Sequence, residues 1–182
     1  YPCMRLSHEF FMRSPMDVAM DLVGAYLCRV GPDGSAIRAR IAELELYTQD
    51  ERGCHAFNGC TARNDAMFLA GGYAYVYLCY GLHNMLNIVI GQKGYAAAVL
   101  IRALEMPECN GPGKLTKVLG ITRGDNKMDL CDLNSLIWLE ARDHTPDIAA
   151  GPRIGIDYAG ADAALPWRFV IRDSDFLSRR VD

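Results

Sequence analysis

The stretch Ala36-Ile37-Arg38-Ala39-Arg40-Ile41-Ala42-Glu43-Leu44-Glu45-Leu46-Tyr47 decides the fold. From Ile41 onward it alternates strictly, which is the period of a β-strand: Glu43, Glu45 and Tyr47 share one face, and Ala42, Leu44 and Leu46 the other. Upstream, Gly31-Pro32-Asp33-Gly34 is a turn sequence, and Ala25–Val30 before it is again strand-like, so a hairpin is predicted. Further upstream, Ser14-Pro15-Met16-Asp17 opens a helix with a capping residue, a first-turn proline and an early acid. Val18, Leu22 and Val23 give that helix one apolar face, and Gly24 can end it.

Downstream, residues 50–66 are polar and contain glycine, and read as a long loop. Tyr73–Tyr80 and Met85–Ile90 are strand-like around a turn at Gly81-Leu82-His83-Asn84, and Ala96–Glu105 is a further strand. Gly111-Pro112-Gly113 opens a short helix, Lys114–Leu119, with Gly120 as its stop. Leu136–Glu140 and Arg168–Arg172 are late strands. The expectation is an α+β fold with a mainly antiparallel sheet, in one domain spanning residues 1–182 and without repeats or linkers.

The composition fits that reading. The chain has 182 residues, about half of them apolar and 23% charged, enough for a sizeable core. No apolar run approaches the roughly 18–20 residues of a membrane-spanning helix, and the first residues lack the order of a secretory signal. Seven cysteines, an odd count without close pairs, argue against a disulfide framework and for a reducing compartment. Cys54-His55 and Cys60 lack a second half at finger spacing, so no metal is expected there. Net charge is −3, but the stretch from Lys93 to Lys127 holds six basic side chains against three acidic ones. A basic face can therefore coexist with an acidic chain.

Several residues carry potential chemistry. Two carboxylates at positions 43 and 45, roughly 6.5–7 Å apart along a strand, can split their protonation behaviour if buried, and one can serve as a general base. The ordinary alternative is an exposed polar strand face. Tyr73, Tyr75 and Tyr77 share a strand face, whereas Tyr80 has the opposite parity and stands at the turn. An aromatic at an exposed hairpin tip can wedge into a base stack; the alternative is a ring folded back on its own strand. Asn110-Gly111-Pro112-Gly113-Lys114-Leu115 offers free N–H groups and a cation at a helix start, which suits a phosphate contact. It is not a Walker loop, and it reads equally as a simple helix entry. Arg102 lies in an apolar strand and needs a carboxylate if buried; Glu43 and Glu45 are the candidates.

Taken in order, these segments resemble the alkyladenine (3-methyladenine) DNA glycosylase family. The resemblance runs through Arg40–Tyr47, His55, Thr61–Asn64, Met67-Phe68, Tyr75–Tyr77, Tyr80-Gly81, Asn87 and Val99–Glu105. It continues through Asn110–Leu115, Arg153–Ile156 and Pro166–Phe169, and so covers nearly the whole chain. It implies a base-excision repair enzyme that flips alkylated or deaminated purines out of double-stranded DNA and hydrolyses the N-glycosidic bond. Its substrate class is 3-methyladenine, 7-methylguanine, hypoxanthine and ethenoadenine. It also implies a protruding hairpin that enters the minor groove, with Tyr80 filling the gap left by the flipped nucleotide and Leu82 beside the tip.

By the same resemblance, Glu45 matches the general base, and Arg102 helps to hold the water together with the backbone carbonyl at Ile154. Tyr47, His55 and Tyr77 match pocket walls. Backbone N–H groups near Gly53 and His55 would meet the base edge, and Asn87 would crowd the exocyclic amine of normal guanine. Arg63 and Lys114 would meet phosphates. No lysine matches a Schiff-base nucleophile, so no strand-cleaving lyase step is expected. No cofactor, metal or membrane partner is implied, and a monomer is the default. The missing N-terminal extension of animal members suggests a bacterial source. The expected location is then cytoplasmic, with the nucleoid, or nuclear if the source is eukaryotic.

The chain departs from the family pattern in places. Leu44 and Leu46 replace smaller residues, Ala62 replaces proline, Leu82 replaces a common methionine, and the basic segment after Glu105 is shortened. Two other readings use the same residues: a non-catalytic binder of damaged or distorted DNA, and a small-molecule enzyme with Glu43 and Glu45 as an acid/base pair.

Overall fold

The structure is a computed structural model that describes residues 5–181. Two short helices, α1 (His8–Phe11) and α2 (Pro15–Leu22), lead into β1 (Tyr26–Val30) and the long β2 (Ala36–Thr48). β3 (Ala74–Cys79), β4 (His83–Val89), β5 (Ala97–Leu104) and helix α3 (Pro112–Leu119) follow. Then come β6 (Ile137–Glu140), β7 (Ile148–Gly151) and β8 (Arg168–Ile171). All strand pairs are antiparallel, in the order β3-β4-β5-β2-β1-β6, with β8 joining β2 to β7. This is the expected α+β class. β7 and α1 are additions that the sequence pattern does not reveal, both being only four residues long. Among the described residues, no helix is long and apolar enough to cross a membrane.

The first hairpin closes as its turn residues dictate. Gly34 takes positive φ, and the Asp33 carboxylate accepts from the Ser35 N–H and hydroxyl. Helix α2 begins at Pro15, although Ser14 makes no side-chain cap. Helix α3 starts at Pro112 behind Gly111 and ends at the left-handed Gly120. The Thr116 hydroxyl fastens α3 to β4 by donating to the Asn84 carbonyl at 2.7 Å.

β2 organises the rest. Its first half pairs with β1; its second half pairs with β5 along one edge and β8 along the other. Leu44 and Leu46 point into the main core, with Val76, Leu86, Ile88, Val99 and Ile101, under α1, α2 and α3. Burial of each is worth about 1.5–3 kcal/mol. The opposite face is not left to solvent. Tyr75, Val89 and Ala98 there meet Cys54, Ala56, Ala66 and Met67 from the 50–69 segment, which makes a second, smaller core. The exposed-face reading of Glu43 and Glu45 is therefore overturned: both are fully buried, because the sheet is covered on both sides. Leu44 and Leu46 lie on the other side of the sheet from the carboxylates, in the main core.

Candidate active site

On the second face the strands assemble a cleft. β2 contributes Glu45 and Tyr47, β5 Leu100 and Arg102, β4 Met85 and Asn87, and β3 Tyr75 and Tyr77. The registers explain the grouping: Glu45 is opposite Leu100, Leu100 is opposite Asn87, and Asn87 is opposite Tyr75. Cross-strand partners share a face. Gly53, His55 and Arg63 from the covering segment, and Ile154 and Tyr158 from beyond β7, complete the walls. The cleft encloses about 390 Å³, in the usual range for a small-molecule site.

Arg102 stands where the β2–β5 pairing is irregular. The register steps from Glu43–Ala103 to Leu44–Ile101 and passes over Arg102. A bulge of this kind re-aims a side chain, and here the guanidinium reaches both carboxylates. Its Nε donates to Glu43 Oε2 at 3.0 Å, and Nη1 lies 3.5 Å from Glu45 Oε1.

The two carboxylates differ in their partners. Glu43 is saturated. It accepts from the Ser178 N–H (2.9 Å) and hydroxyl (2.7 Å), from Arg102, and from Arg168 Nη1 at 3.5 Å. Arg168 in turn donates to the carbonyls of Pro152, Arg179 and Arg180, which seals the C-terminal segment over Glu43. Glu45 faces the cleft. Its Oε1 accepts from the Tyr47 hydroxyl at 2.8 Å and its Oε2 from the Ile154 N–H at 2.7 Å. Burial pushes the Glu45 carboxyl above the usual carboxylate range; Arg102 and the two hydrogen bonds pull the other way, and Glu43 adds to the rise.

The walls are aromatic and uncharged at neutral pH. Burial holds the Tyr47 hydroxyl well above its ordinary value, raises Tyr77, and pushes Tyr75 to about 12. Burial, and then the charge of Arg63, lower His55, so its imidazole is neutral. The His55 ring packs edgewise on Tyr77 at 4.6 Å, and its Nδ1 lies 3.2 Å from the Tyr75 hydroxyl. Asn87 is held by its own amide, which donates to the Tyr75 carbonyl at 3.1 Å.

At the mouth of the cleft the β3–β4 hairpin turns more tightly than its sequence suggested. The turn is Tyr80-Gly81-Leu82, with Leu82 N–H donating to Cys79 carbonyl at 3.0 Å, and β4 already begins at His83. Tyr80 and Gly81 both have positive φ, the signature of a primed turn that matches strand twist. Tyr80 is 92% exposed and Leu82 76%. A tyrosine at φ 51° in open solvent carries backbone strain that its own fold does not repay with contacts.

Two backbone groups of the cleft are engaged within the fold. The Gly53 N–H donates to Glu51 Oε2 at 2.8 Å. The Ile154 N–H donates to Glu45 Oε2, which brings the Ile154 backbone beside the carboxylate. Lys114 is not brought into the cleft; it sits at the start of α3 and donates to Asn110 at 3.1 Å. Arg63 is on the rim and also borders a neighbouring hollow with Gly81 and Arg123. Arg153, Arg168 and Ser178 are supporting residues that the sequence reading did not single out. The first two lie within the matching segments Arg153–Ile156 and Pro166–Phe169, but no local signal marks Ser178.

Comparison with known proteins is consistent along nearly the whole chain. The model of the methylpurine-DNA glycosylase family matches residues 9–175. A protein of Methanocella arvoryzae is 42% identical over 194 residues, covering 96% of both chains. One of Myxococcus xanthus is 41% identical, covering 96% of this chain and 93% of its own. One of Alkaliphilus oremlandii is 36% identical, covering 97% and 100%. All three carry the 3-methyladenine DNA glycosylase name.

Proposed function

Because the chain belongs to the methylpurine-DNA glycosylase family and is a monofunctional DNA N-glycosylase, we propose that Glu45 activates the water that releases damaged purines flipped into this cleft. The observation that carries the reading is the Glu45 carboxylate: buried in the sheet, bordering the cleft, and held by two donors and Arg102. A base within a duplex cannot reach it, so the nucleotide must leave the stack, at a cost of a few kcal/mol that is smallest for a damaged pair. Tyr47, His55 and Tyr77 supply faces for the purine, and neutral aromatic walls suit a cationic methylated ring. Asn87 crowds the exocyclic amine of guanine. As the glycosidic bond breaks, positive charge develops at the sugar carbon. Glu45 takes a proton from the attacking water, and Arg102 steadies the carboxylate while Glu43, itself held by Ser178, steadies Arg102.

Tyr80 fills the gap in the duplex, Leu82 packs beside it, and Arg63 and Lys114 meet phosphates. The substrates are alkylated and deaminated purines: 3-methyladenine, 7-methylguanine, hypoxanthine and ethenoadenine. The test is incubation with duplexes carrying one such lesion each, followed by alkali. Strand breaks that depend on alkali support the reading. Tight binding with no alkali-labile site on any duplex would replace it with a non-catalytic reader of distorted DNA.

The hairpin makes a separable prediction. Tyr80→Gly removes the left-handed strain of a non-glycine residue, offset by the greater chain entropy of glycine. Stability is expected to hold within about 1 kcal/mol. Binding of a lesion duplex should weaken at least about tenfold, the loss of a stacked aromatic. Equal affinity in a salt-controlled binding assay would remove Tyr80 from the interface.

A pH dependence follows from Glu45. The raised carboxyl must be ionised to accept a proton, so single-turnover release should fall on acidification at a pH above the ordinary carboxylate range, near 4.3. A 7-methylguanine duplex isolates this limb, since its leaving group needs no further proton. Tyr47→Phe removes a donor that lowers the Glu45 value and should move the limb to higher pH. A limb unmoved by Tyr47→Phe would argue against Glu45 as its source.

A further inference from the structure

A second group of ligand-bearing side chains lies apart from the cleft, where α1 meets the start of β3. His8, Asp129 and Cys131 each present one ligand atom, and the three atoms lie within 4.8 Å of one another. His8 belongs to α1, while Asp129 is paired by an isolated bridge to Tyr73, next to β3. His8 Nδ1 lies 2.7 Å from the Gly71 carbonyl, and Nε2 lies 2.9 Å from Asp129 Oδ1. The carbonyl can only accept, so Nδ1 carries its proton there and Nε2 points its remaining valence at a carboxylate. That juxtaposition is repulsive unless a cation stands between the two, either a proton or a metal ion.

Two further features favour the metal. A histidine that ligates through Nε2 characteristically donates Nδ1–H to a backbone carbonyl, which fixes ring and tautomer, as Gly71 does here. Gly72 leaves room that any side chain would take: a Cβ there would fall 2.5 Å from His8 Nδ1 and 2.8 Å from Cys131 Sγ. The bare glycine leaves room for the imidazole ring and the sulfur side by side. Among the described residues, the Cys131 thiol packs against the main core and makes a weak contact with the Gly72 carbonyl at 3.9 Å.

We propose that His8, Asp129 and Cys131 form a zinc site that staples the N-terminal helix to the foot of the strand carrying the hairpin. One nitrogen, one oxygen and one sulfur ligand are a borderline-soft set, which selects Zn²⁺ over Ca²⁺ or Mg²⁺. The His8 and Asp129 side chains are 35% and 37% exposed, so water can reach the group to supply a fourth ligand. Tetrahedral bonds of about 2.0–2.1 Å set N and O roughly 3.3 Å apart. His8 and Asp129 would thus part by a few tenths of an ångström, which half-exposed side chains permit. Binding converts the Cys131 thiol to a thiolate and releases its proton to solvent.

The experiment uses the whole chain, freed of metal by chelator, and titrates it with Co²⁺ and then Zn²⁺. The expected result is one equivalent of cobalt with a thiolate charge-transfer band, displaced by zinc. A melting temperature several degrees higher with zinc should accompany it. Cys131→Ser should abolish the band, and His8→Gln should weaken binding at least tenfold. Cys60→Ser, at an exposed cysteine outside the cluster, should change neither. Cys131→Ser is close to isosteric, so an unchanged metal-free melting temperature shows that it folds, and it decides the matter if His8→Gln does not fold. A band that survives Cys131→Ser, or no stoichiometric binding at all, overturns the proposal. A zinc-independent melting temperature does the same and leaves His8 as a hydrogen-bonded clamp between Gly71 and Asp129.

Discussion

Glu45→Gln is expected to slow single-turnover base release by about 10²–10⁴-fold, the contribution of a positioned general base, while leaving lesion-duplex affinity within about twofold. The substitution keeps an oxygen for the Ile154 N–H, so the local frame is retained. What is lost is the carboxylate proposed to accept the proton at the cleft. The effect on stability has the opposite sense. Burial raises the folded-state pKa of Glu45 above its unfolded value, so between the two values the folded chain holds more protons. Stability then falls as pH rises through that window, and above it the ionised carboxylate is a net cost to the fold. Removing the charge should therefore leave the melting temperature at pH 7 unchanged or higher. An inactive but equally stable protein is the signature of a residue kept for chemistry. If release persists at the wild-type rate, Glu45 is not the base; if activity and stability fall together, its role is structural.

The second large effect lies behind the cleft. Arg153→Met is expected to cost about 3–5 kcal/mol, because it leaves Glu51 as a buried charge without its partner. Arg153 and Glu51 form a two-pronged pair at 2.8 and 2.7 Å, with side chains 0% and 5% exposed. The same guanidinium donates to the carbonyls of Leu46 and Asp162 and lies 4.7 Å over the Tyr47 ring. Glu51 Oε2 also accepts from the Gly53 N–H. One ion pair thus ties β2, the covering segment and the chain after β7 into a single wall. Chemical denaturation of Arg153→Met, Glu51→Gln and the double variant measures it. The double variant should be less destabilised than the sum of the singles, since neither charge is then stranded. A loss under about 1 kcal/mol in Arg153→Met would mean that the pair is open to water.

Much of this was legible before any coordinates. The alternation from Ile41 to Tyr47 placed Glu43, Glu45 and Tyr47 on one side of a strand, and the Tyr47–Glu45 hydrogen bond is that i, i+2 relation made visible. The turn residues around Asp33 and the stop at Gly120 behaved as their chemistry requires. The hairpin tip was off by a residue or two, because a tyrosine at positive φ is not a pattern that propensity anticipates. β7 was missed because Ile148–Gly151 is short and one-sided, and it is a strand only through its pairing with β8.

By itself the sequence determined the class of fold, the order of its elements, and which residues share a strand face, since these depend on neighbours in the chain. The ordered motifs also carried the family resemblance. Only the tertiary structure decided which carboxylate is sealed and which faces the cleft. Glu43 is closed off by Ser178, 135 residues away, and Glu45 receives the N–H of Ile154, 109 residues away. A period of two cannot distinguish Glu43 from Glu45. The difference arises when the second face of the sheet is covered by distant segments, and each carboxylate then takes the donors that those segments bring.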